Sequence, residues 1–224
     1  MVIPAPLTLS LLLRARPSDE ELWHDLNALV GPMLEARTPR DMERSVEKVL
    51  ASYPDFAARV AAALEAHFKG KHPSEMQAEI LAAVDEGLSA IRQKVQPHLP
   101  PPTRRRLEQA LESYRTFLQI IVEYFDRVDW TLVNILLESW RSVQKAGIII
   151  SVLAFVAHHK EIAPALHMPL RLLAKALDKY MGEIEDRFLA ATPTADPAER
   201  ARSEGALVPL AMVKERFAQT GAFE

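Results

Sequence analysis

The chain has 224 residues, of which 49% are hydrophobic and 25% charged, with a net charge of −3. That is enough for one large domain or two small ones around an ordinary core, and the slight negative balance argues against a protein whose main task is coating nucleic acid. There is no cysteine, so disulfides, thiolate metal sites, Fe–S clusters and cysteine nucleophiles are excluded from this chain, and a reducing cytoplasmic setting fits it.

Glycine is scarce (7) and proline common (16), so prolines can punctuate helices built from Ala, Leu, Glu and Arg. Strand-length alternation, hairpin signals and internal repeats are not found. Residues 1–17 form an apolar arm in which Leu7, Leu9 and Leu11 alternate with Thr8 and Ser10. Arg14 and Arg16 follow the apolar run instead of preceding it, which disfavours a targeting peptide.

The first helix is expected from Ser18, with Glu21 completing a capping box and Leu22, Leu26, Leu29, Val30 and Met33 on one face. Thr38 and Pro39 open a second, with Met42, Val46, Val49 and Leu50 as its stripe. Pro54 is expected to start a third, carrying Phe56, Val60, Leu64 and Phe68 and stopping at Gly70. Ser74 is expected to cap a fourth, whose stripe runs from Met76 to Val95. "PHLPPPT", residues 97–103, reads as a stiff extended linker between subdomains 18–96 and 104–191. Thr103 is expected to cap a fifth helix, with Leu107, Leu111, Tyr114 and Leu118 on its broad apolar face.

The sixth helix, about 130–160, changes character along its length. Asn134, Glu138, Arg141 and Lys145 form a polar stripe, but residues 146–157 carry no charge on any side. Twelve residues span only about 18 Å, against roughly 30 Å of membrane hydrocarbon. Lengthening the run brings in Lys145, Arg141 and Glu138, so no transmembrane span is expected. A helix apolar all round is buried all round, so this run is expected at the centre of the bundle. A seventh helix, from Pro169, places Leu170, Leu173, Leu177, Met181 and Ile184 at helical spacing. Residues 192–206 read as a polar linker. In 207–224, Leu207, Leu210, Val213 and Phe217 recur at helical spacing as a docking segment. The expected architecture is an all-α bundle of about six to eight helices with a central apolar helix.

Chemistry-bearing residues are few. His158, His159 and Glu161 follow the apolar run and are a candidate metal set, although adjacent histidines point about 100° apart on a helix. Glu21 and His24 have the Glu-x-x-His spacing of carboxylate-bridged metal bundles, which need two such motifs. Gly-rich phosphate loops, nucleophile elbows and His-Glu-x-x-His motifs are not found. Arg104, Arg105 and Arg106, with Lys69 and Lys71, are the candidate phosphate-binding cations. No aromatic platform interleaves them.

The leading expectation is a non-enzymatic helical interaction subunit or adaptor. It would need no cofactor and would dock to a protein partner or a second copy through its apolar ends and a bundle groove. The alternatives are a nucleic-acid-associated subunit using the basic residues, and a metal-dependent helical enzyme using the histidines.

Overall fold

The computed structural model describes residues 12, 18–124, 130–159 and 161–191. Six α-helices lie in them: α1 (Glu20–Glu35), α2 (Pro39–Phe68), α3 (Pro73–Ala90), α4 (Pro101–Tyr124), α5 (Trp130–His159) and α6 (His167–Ala191). Among the described residues there is no strand, so the chain is an all-α bundle.

Local chemistry sets the helix boundaries. α1 begins one residue later than the capping-box pattern at Ser18 indicates. Asp19 is the cap, its carboxylate accepting the Leu22 amide at 3.1 Å. The Asp oxygen reaches the same orphan donors and adds a negative charge at the positive end of the helix. At α2, Thr38 and Asp41 form a reciprocal box. The Asp41 amide donates to Thr38 Oγ1 at 3.2 Å, and the Thr38 amide donates to Asp41 Oδ2 at 3.0 Å.

The expected second and third helices are one. α2 runs 30 residues without a break at Pro54. A proline inside a helix removes one backbone donor. Here a single buried stripe, Met42, Val46, Val49, Phe56, Val60, Leu64 and Phe68, continues in register across it, and packing outweighs the lost bond. α2 stops as expected at Gly70, whose φ of 83° is in the left-handed region. His72, not Ser74, caps α3, its ring accepting the Ser74 amide at 3.4 Å.

The proline-rich segment is mostly helical rather than extended. α3 passes into a π-helical turn (Ile91–Val95) and a 3₁₀ turn (Gln96–His98), and α4 already starts at Pro101. Prolines fit a first helical turn because the donors they lack have no partner there. Arg104 fastens this corner, its guanidinium donating to the carbonyls of Pro97 (3.3 Å) and Leu99 (3.2 Å).

α5 is the axis of the bundle. It packs along α6 and against α2, α3 and the π-turn. All residues from Ala146 to Ala157 are buried. The segment Arg141–His159 is long and apolar enough to cross a membrane by composition alone, but 78% of it is buried inside the bundle. One continuous buried cluster reaches from Leu12 to Ile184 and takes residues from both sides of 97–103. Leu12, within the expected arm, is fully buried in it.

Candidate docking cleft

The helical spacing of Arg40, Glu43, Arg44 and Glu47 puts all four on one side of α2. Opposite them stand Lys145 of α5 and Lys179 and Tyr180 of α6, and the seven residues line a cleft of about 550 Å³. The cleft gives a setting to the C-terminal part of the α5 polar stripe. Two of its residues, Arg141 and Lys145, meet Glu47 of α2.

The carboxylates are held by cations from the other two helices. Lys179 Nζ donates to Glu43 Oε1 at 2.6 Å. Lys145 Nζ lies 2.6 Å from Glu47 Oε1, and Arg141 donates to Glu47 Oε2 at 2.6 Å. The Lys179 bond holds Glu43, and the Lys145 bond holds Glu47, below the ordinary carboxylate range. The bond to Glu43 also raises the Lys179 ammonium. Beneath them Tyr180 is only 2% exposed. Lys145 and Lys179 sit 5.0 and 5.7 Å from its ring centroid. Burial, then the charges of Glu43, Glu183 and Glu47, push its phenol up to about 12. It is therefore a neutral wall. Nearby, Ser142 Oγ donates to Glu183 at 2.8 Å and ties α5 to α6 again.

Four cations and two carboxylates line the cleft, a formal excess of two positive charges. The excess is localised. Glu43 and Glu47 are occupied by Lys179, Lys145 and Arg141. Arg40 and Arg44 are exposed and, among the described residues, are in no ion pair. Arg40 stands in the first turn of α2, where the helix dipole is already positive, and Arg44 one turn further on.

The residues singled out from sequence go elsewhere. His158 Nδ1 is 2.9 Å from the Ala154 carbonyl, and its Nε2 is 3.8 Å from Glu86. The His159 ring packs against Phe155 (centroids 4.8 Å apart) and edge-on to Trp23 (6.0 Å). Glu161 is exposed beyond the end of α5, and Glu21 and His24 are exposed on α1. Among the described residues no three His, Asp or Glu side chains gather as a metal set. Of the basic cluster, Arg104 holds the 97–100 corner, Arg106 faces Asp178 at 3.7 Å and Arg105 is exposed. Lys71 and His67 both bind Glu79, closing the α2–α3 turn, while Lys69 is exposed at the end of α2. Leu7, Leu9, Leu11, Leu207, Leu210, Val213 and Phe217 lie outside the described residues.

The cleft itself escaped the sequence reading. Its one local trace is the Arg-Glu-Arg-Glu spacing from 40 to 47, which by itself reads as a solvated face. The groups that turn it into a cleft, Lys145 and Lys179, are brought in from distant helices, Lys179 from 136 residues beyond Glu43. No family model matches the chain, and no curated protein or solved structure matches it either.

Proposed function

We propose that this chain is a non-enzymatic helical interaction subunit that docks a partner in the groove between α2, α5 and α6, with its apolar terminal segments as further contacts. The observation that carries this reading is the cleft. Its walls come from three helices braced by cross-helix ion pairs, and a rigid framework that presents polar groups costs little ordering on binding. Its volume of about 550 Å³ suits a few side chains of a partner. The apolar residues of 207–217 add contacts of the kind amphipathic helices make with grooves. The reading places the subunit in the cytoplasm, as a cysteine-free chain permits.

The test is affinity isolation of the tagged full-length chain from its own cells, beside a variant lacking residues 1–11 and 207–224 and a variant with Arg40→Glu and Arg44→Glu. A stoichiometric partner that is weakened by either variant is the expected result. A chain recovered alone, or a partner held equally by all three forms, overturns the reading.

A further inference from the structure

We infer that the cleft recognises an acidic helical segment of a partner, one whose carboxylates stand a helical turn apart and are gripped by Arg40 and Arg44. This rests on the docking reading above and names the partner's chemistry. Arg40 and Arg44 are themselves four residues apart on one helix, which sets their backbone positions roughly 6 Å apart along its axis and on one face. A partner helix with Glu or Asp at the same spacing presents its carboxylates at that interval, and each guanidinium can take one bidentately.

Two further observations favour this occupant. The cleft carries a two-charge excess, yet its own carboxylates are already neutralised by Lys145, Arg141 and Lys179. An incoming acid therefore meets two exposed guanidinium groups that make no direct ion-pair contact among the described residues, Arg40 near Glu43 and Arg44 near Asp41. Arg40 also stands in the first turn of α2, at the positive end of the helix dipole, and both arginines are exposed and outside any ion pair among the described residues. Nucleic acid fits less well. Phosphate tracking wants a long cationic stripe, whereas the groove is short and Glu43 and Glu47 lie on its wall.

The probe is a fluorescently labelled, alanine-based helical peptide with Glu at repeated i, i+4 positions, paired with a control in which every Glu is Gln. Anisotropy titrations use the full-length chain and the double variant Arg40→Gln/Arg44→Gln. Both positions are exposed and make no direct ion pair among the described residues, so the variant is expected to fold, and a thermal melt checks this. The expected result is that the Glu peptide binds at least about tenfold more tightly than the Gln peptide. The preference should shrink as salt rises toward about 0.15 M and vanish in the double variant. Equal or absent binding of the two peptides overturns the inference, as does a preference that survives the substitutions. Stabilisation by inorganic pyrophosphate without peptide binding also overturns it and gives the cleft to a small anion. A native partner kept by the double variant, with no Glu preference, defeats only the acid-segment inference. Isolation of the wild-type chain without a partner defeats the docking reading itself.

Discussion

Leu153 shows what an all-round apolar helix means for a single side chain. It is fully buried in the middle of α5, with no solvent-facing direction in which a smaller residue could relax. Leu153→Ala is therefore expected to destabilise the fold by about 2–5 kcal/mol, the transfer cost plus the cavity left behind. Urea unfolding with an unchanged m-value would register it. Ser151, also buried, escapes a comparable penalty because its hydroxyl donates to the Gly147 carbonyl at 2.8 Å. Tyr180 gives a second residue-scale prediction. Its phenol is raised from 10.0 to about 12, chiefly by burial. A raised folded value means that the stabilisation is complete below the unfolded value and is lost as pH climbs from about 10 toward 12. Lys179, also raised, acts in the same direction. Thermal midpoints should fall across that alkaline window, and by less in Tyr180→Phe. A midpoint as alkali-sensitive in the variant as in the parent would refute the assignment.

Two differences between the expected and observed helices have separate physical origins, core packing in one and a neighbouring cap in the other. Pro54 reads locally as a start signal, and Ser18 as a cap. The chain passes through the first because the apolar stripe on either side of it faces one core, and it uses the neighbour of the second because Asp19 serves better. Local signals set preferences of a kcal/mol or so, and packing outbids them. The proline inside α2 still costs a backbone bond, since residue 54 has no amide for the Leu50 carbonyl. Pro54→Ala is expected to stabilise the protein by about 1–3 kcal/mol, and thermal or urea denaturation would show it. Thr38→Ala should do the reverse. It removes the hydroxyl that accepts the Asp41 amide, at a cost of about 0.5–2 kcal/mol. The loss should appear first as faster amide exchange in the opening turn of α2.

Across the molecule, three of the carboxylates with lowered values tie α2 to its neighbours: Glu43 to α6, Glu47 to α5 and Glu79 of α3 back to the end of α2. Hydrogen bonds from Lys179, Lys145 and Lys71 are respectively the first causes. Depressed folded values contribute stability that is fully present above the ordinary carboxylate value of 4.5 and lost as pH falls below it. The folded state should therefore weaken at acid pH, and Glu47→Gln should flatten that dependence. An identical acid profile in the variant would refute it. The first two of these ties lie in the groove in which docking is proposed. Acid and alkali are thus both expected to loosen the cleft before the core, which tryptophan emission and cleft-residue amide exchange would separate.

The sequence by itself determined the helical class, the position and burial of the 146–157 run, the stripes of α2, α4 and α6, and the stop at Gly70. Each of these depends on residues within a few turns of one another, so periodicity and capping chemistry suffice to fix them. Only the tertiary structure decided that 39–68 is one helix and that the proline-rich corner is mostly wound. It also decided that His158, His159, Arg104 and Lys71 serve structural contacts, and that Arg40, Glu43, Arg44 and Glu47 face Lys145 and Lys179. These outcomes depend on which distant helix a face meets. A charged face on one helix reads the same in sequence whether water or another helix lies opposite it.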